Sequence, residues 1–112
     1  MEVRIPEVAD YELRRELIRA GLVKSLHNLN QLKVTFGYLP ITTAVMLRAA
    51  DLWAAARHQG TPTADPRELD CDVILAAQGV LLIEAGYDVV VATTNVGHLS
   101  LFVSAKRWQD IP

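Results

Sequence analysis

Three groups of residues in this 112-residue chain have types and spacing suited to chemistry. Asp72 heads a stretch in which Gln78 is the only polar residue before Glu84, and Asp70 lies two positions earlier. A carboxylate there either accepts the free amides of a helix's first turn, complementing the dipole, or serves as an oxygen ligand to a cation. Spacing alone favours the cap. Glu12 follows Val8 by one helical turn and precedes Glu16 by another, with Arg15 three residues on. A surface ion pair of little energetic weight therefore competes with a ligand role. The third group is Ala92-Thr93-Thr94-Asn95-Val96-Gly97-His98, which follows an apolar run. In open α/β sheets ligands gather just beyond the carboxyl ends of strands. A polar turn explains Asn95 and Gly97 as well, with His98 as a solvated side chain.

Basic residues gather early in the chain as Arg14, Arg15, Arg19 and Lys24, with Lys33 further on and Lys106 and Arg107 near the end. They can contact phosphates or simply solvate helix faces. With 11 basic against 13 acidic residues the net charge is -2, so no global basic field holds nucleic acid and any such contact is local. Trp53 and Trp108 read as core residues rather than stacking platforms. The single cysteine, Cys71, can form no internal disulfide and, without a second soft ligand, suggests no zinc site. A reducing cytoplasm is the expected location. No run approaches the roughly 20 apolar residues of a membrane span, and the opening residues lack a basic segment followed by an apolar one. The expectation is a soluble protein without a membrane partner.

The elements that must position these groups follow from periodicity. Hydrophobic residues make up 51% of the chain, which excludes disorder and suits one compact domain over residues 1–112. Val3-Arg4-Ile5, stopping at Pro6, reads as the end of a strand feeding a helix. Residues 7–20 form that helix, with Leu13, Leu17 and Ile18 at helical spacing and Gly21 as the stop. A second helix spans 25–36, with Leu26, Leu29 and Leu32 as its apolar stripe and Gly37 behind it. Residues 38–41 are extended, and Thr42 or Thr43 caps an alanine-rich helix reaching His58. The interior polar residues of that helix are Arg48 and Asp51, so most of its surface is expected to pack. Residues 59–67, with Gly60, Pro62 and Pro66, read as an exposed loop. A nearly buried helix spans 69–85, and Gly86 ends it. Residues 88–92 then form an apolar, β-branched strand covered on both faces, as in a parallel sheet. The tail, with Phe102, Val103 and Trp108, adds a turn and a last strand. Helix followed by buried strand makes the class α/β.

Taken together, these segments resemble the PIN domain family, which includes the VapC-type toxins of prokaryotic toxin-antitoxin pairs. Ile5-Pro6-Glu7-Val8-Ala9-Asp10-Tyr11-Glu12-Leu13 is similar to the family's strand end and helix with its conserved glutamate, which falls on Glu12. Leu69-Asp70-Cys71-Asp72-Val73-Ile74-Leu75-Ala76-Ala77-Gln78 looks like its Asp-x-x-Ile-x-Ala helix, placing an acid on Asp72. Residues 90–99 are similar to its strand and Thr-x-Asn/Asp turn.

The resemblance covers about Val3 to Ile111 and implies a three-layer α/β/α fold with a short parallel sheet. In the family, clustered carboxylates hold Mg²⁺ or Mn²⁺, and the ion activates a water that attacks an RNA phosphodiester in line. Carried over by position, this implies Glu12, Asp72 and Asn95 as metal ligands, Asp70 as an auxiliary acid, and Arg14 and Arg15 toward RNA. It also implies an antitoxin protein as partner. The family's first βα unit, with its invariant Asp, is expected upstream of Val3 and has no counterpart here, so the domain reads as N-terminally truncated. Asn95 and His98 stand where the family usually has an Asp. The alternative is a catalytically inactive PIN-like binding or dimerisation module. The seam left by the absent strand is expected to favour a homodimer.

Overall fold

The computed structural model of the chain describes residues 2–58, 66–92 and 105–106. Along the chain it runs β1 (Ile5–Pro6), α1 (Glu7–Arg19), α2 (Val23–Phe36), β2 (Tyr38–Leu39), α3 (Thr43–His58), α4 (Pro66–Glu84), β3 (Val91–Ala92) and β4 (Ala105–Lys106). The described residues are mostly helical, and the strands form two short parallel pairs, β1 with β2 and β3 with β4. This is a mixed α/β composition. The chain divides into two compact units, Met1–Ile41 and Thr42–Pro112.

In the first unit, Ile5 pairs with Tyr38 and Pro6 with Leu39, and the Ile5 amide donates to the Gly37 carbonyl at 3.1 Å. Pro6 fixes an extended backbone just before α1, and the helix ends at Ala20 with Gly21 at φ 70°, where a side chain would be strained. The Leu22 amide closes back onto the Leu17 carbonyl at 2.9 Å, so α2 starts almost at once, at Val23 rather than at Ser25. Gly37, at φ 84°, ends α2 and turns the chain into β2. The buried residues of α1 are Val8 and Asp10, while Leu13 and Ile18 are exposed. The apolar spacing of α1 thus marks a helix without marking its buried face.

In the second unit, the Thr42 hydroxyl accepts from the Val45 amide at 3.2 Å, which caps α3 as its sequence suggests. Val45, Ala49 and Ala56 are the buried residues of α3, and Val73, Ala76 and Ala77 are buried in α4. Small side chains on both helices permit close axial approach, so the packing rests on contact area rather than on large anchors. Ala76 is fully buried with Leu52, Leu75, Val80 and Val91 against it. An ion pair, Arg48 to Glu84 at 2.6 Å, joins α3 and α4.

Three expectations need correction. The alanine-rich α3 does not pack over most of its surface, because Met46 and Leu47 are exposed and only one stripe is buried. Helix α4 begins at Pro66, inside the segment read as a loop, because proline suits the first helical position, where its missing amide proton has no helical partner anyway. β3 covers two residues rather than five, since β4 pairs only with Val91 and Ala92, and Val90 is exposed. Residues 59–65 of the expected loop, and most of the tail with Phe102, Val103 and Trp108, lie outside the described residues.

Candidate functional site

Asp72 is half-buried in α4. With α4 starting at Pro66, the residue is seventh in the helix, beyond the four amides that a first-turn cap can satisfy. Asp70 is fifth and exposed. The capping account of this acidic pair therefore loses its geometry. Two positions along an α-helix turn a side chain by roughly 200°, so Asp70 and Asp72 leave α4 on different sides. An auxiliary role for Asp70 beside Asp72 is not what this spacing provides.

Asp70 instead lines an open cleft between α3 and α4, of about 370 Å³, together with Met46, Ala50, Trp53, Val73 and Ile74. Trp53, expected in the core, is 38% exposed, and the Arg57 guanidinium lies over its ring at 5.0 Å from the centroid. The physical reason is the burial pattern of α3: its alanines and Val45 take the packed stripe, leaving the indole at the margin. Cys71, on α4, is buried and in no disulfide.

Glu12 is half-buried on α1 of the first unit. Next to it, Tyr11 is exposed and carries the Arg15 guanidinium over its ring at 5.1 Å. Arg14 forms a forked pair with Asp10, Nε to Oδ2 at 2.9 Å and a terminal nitrogen to Oδ1 at 3.0 Å. Of the two arginines expected to face RNA, Arg14 is thus engaged inside its own unit. Arg19 pairs with Glu16 at 2.8 Å on an exposed face.

Sequence reasoning missed the polar centre of this unit. Asp10 is only 6% exposed, and besides Arg14 it has the Lys33 ammonium at 3.8 Å. Lys33 also sits 4.2 Å from the centre of the Tyr38 ring. The Glu7 carboxylate accepts the Ile41 amide at 2.6 Å and the Tyr38 hydroxyl. The hydrogen bonds from Arg14 hold the Asp10 carboxyl below its ordinary value, and the Ile41 amide, then the Tyr38 hydroxyl, do the same for Glu7. Burial first, and donation to Glu7 second, push the Tyr38 phenol up to about 12. The signal in the sequence was the four-residue spacing of Asp10 and Arg14, a preferred helical ion pair.

Carboxylate oxygens, as on Glu12 and Asp72, are the donors a hard divalent ion prefers. Among the described residues no three His, Cys, Asp or Glu side chains converge on one point. Asn95 and His98 lie outside the described residues, as does Arg107. No helix among the described residues is long and apolar enough to cross a membrane. No protein-family model, curated protein or solved structure matches the chain.

Proposed function

We propose that the chain is a PIN-type domain of three-layer α/β/α build that hydrolyses RNA phosphodiester bonds with the aid of a divalent ion. The observation that carries this reading is Asp72: a half-buried carboxylate seventh from the start of α4, past the first-turn amides and directly before the helix's long apolar stretch. The family resemblance assigns the oxygen donors to Glu12, Asp72 and Asn95, the last through a neutral carbonyl. Mg²⁺ or Mn²⁺, when bound, supplies charge neutralisation at the phosphate and a more acidic water. Arg15, on the turn after Glu12, offers a fork for a phosphate.

The test is Mn²⁺-dependent cleavage of a labelled single-stranded RNA by the intact chain, with Asp72→Asn purified alongside. Cleavage by the parent is expected to fall at least about 100-fold in the variant, since even outer-shell partners of metal ligands cost roughly 10–100-fold. The variant's circular dichroism is expected to match the parent's. Equal cleavage by both proteins removes Asp72 from the mechanism.

A second reading, a catalytically inactive module for binding or dimerisation, draws on the exposed apolar side chains of the first unit. Val23 and Val34 on α2 are 77% and 81% exposed. A contiguous patch of exposed apolar groups is the usual mark of an association surface. Sedimentation showing a monomer at all accessible concentrations counts against it.

A further inference from the structure

We infer that the cleft between α3 and α4 receives an unpaired guanine base of the RNA, stacked against Trp53 and held at its Watson–Crick edge by Asp70. This rests on the reading of the chain as an RNA-binding protein and adds to it a base preference and the residues that set it.

Three features of the cleft carry the inference. Its volume of about 370 Å³ falls in the range of small-ligand clefts, roughly 300–1,000 Å³. Its walls are the apolar Met46, Ala50, Val73 and Ile74 with the indole of Trp53, a lining suited to a flat, weakly polar ring. Base stacking on aromatic side chains is how unpaired nucleotides are commonly held, and the Arg57 guanidinium over the indole places a positive charge beside this wall of the cleft.

Among the described residues that line the cleft the charged one is Asp70, and an ionised carboxylate only accepts hydrogen bonds. Among the four bases, guanine alone presents two adjacent donors on its Watson–Crick edge, N1–H and the N2 amino group, in the spacing of the two carboxylate oxygens. Adenine and cytosine each set a ring-nitrogen acceptor beside their amino group, and uracil flanks its single N3–H with two carbonyls. Each of these turns one lone pair toward the carboxylate. Asp70 also disfavours a phosphate inside the cleft, so a base enters while its backbone stays outside near Arg57. The departure of Asp70 and Asp72 from different sides of α4 separates base recognition from bond cleavage.

The experiment measures binding of hexauridylates carrying one central G, A or C, and of the all-U hexamer, to the intact chain. Fluorescence polarisation is read in EDTA, so that no divalent ion is present and no cleavage occurs. The G-containing hexamer is expected to bind at least about tenfold more tightly than the others, the discrimination typical of a two-bond base contact. Asp70→Asn, a change at an exposed side chain, is expected to abolish that preference and to favour xanthine, whose C2 carbonyl accepts from the new amide. Trp53→Ala is expected to weaken all hexamers about tenfold or more. Equal binding of the four hexamers, an unchanged preference in Asp70→Asn, or no binding of any hexamer overturns the inference. Guanine-selective binding without Mn²⁺-dependent cleavage leaves it standing and overturns only the ribonuclease reading. Cleavage without base preference does the reverse.

Discussion

The two units of this chain are held by opposite means. The first, Met1–Ile41, buries little apolar surface, chiefly Val8 and Leu29, and ties α1, α2 and β2 through Glu7, Asp10, Arg14, Lys33 and Tyr38. The second is joined chiefly by buried alanine and valine side chains, with a cross-helix ion pair near the surface. Fixed charges tolerate changes of shape but depend on protonation, whereas close-packed methyl groups tolerate any pH but no added volume. One chain therefore carries a unit sensitive to solution conditions and a unit sensitive to size.

The largest effect that sharpens this contrast is expected from Ala76→Leu. Ala76 is fully buried, so three added carbons must displace neighbours such as Leu52 or Val80. Overpacking of this kind costs about 3 kcal/mol, read as a lower urea midpoint.

Next comes Asp10→Ala, which leaves Arg14 and Lys33 without their shared carboxylate. Both side chains keep some access to water, 27% and 29%, so the loss is expected to be about 2 kcal/mol rather than the roughly 3–5 of a fully buried pair. The same network sets the pH response. The Asp10 and Glu7 carboxyls titrate below their ordinary values of 3.8 and 4.5, so their contribution is whole above those values and is lost as pH falls further. Tyr38 is raised from 10.0 to about 12, so its contribution is whole below pH 10 and is lost as pH rises toward 12. Chemical shifts of the first unit, followed from pH 2 to 12, are expected to move at both ends. An acid-insensitive first unit would break the comparison.

The smallest effect is expected from Arg48→Ala, below about 1 kcal/mol in thermal unfolding, because Glu84 on the other side of that pair is 43% exposed and solvent screens it.

Much of the fold was legible because its punctuation is local. Gly21, Gly37 and Gly86 take positive φ where helices end, and Thr42 caps α3 through its own hydroxyl, so helix existence and approximate ends follow from single residues. Burial was harder to read, because it depends on what lies opposite. Leu13 and Ile18 have helical spacing yet stay exposed, Asp10 is charged yet buried, and Trp53 lies at a margin because α3 packs through its alanines. Of the candidate site, Glu12 and Asp72 are half-buried as singled-out acids can be, while the cleft beside Asp70 required knowing that α3 lies along α4.

The hydrogen bond from the Ile41 amide to Glu7 spans 34 residues and joins the two ends of the first unit. Closing a flexible loop of that length costs about 3 kcal/mol in chain entropy, more than one hydrogen bond returns. The bond therefore cannot lead assembly: α1 and α2 must first shorten the distance, and β1 must find β2, before Glu7 meets Ile41. The bond is therefore expected to close late in folding, after the strand pairing that shares its loop.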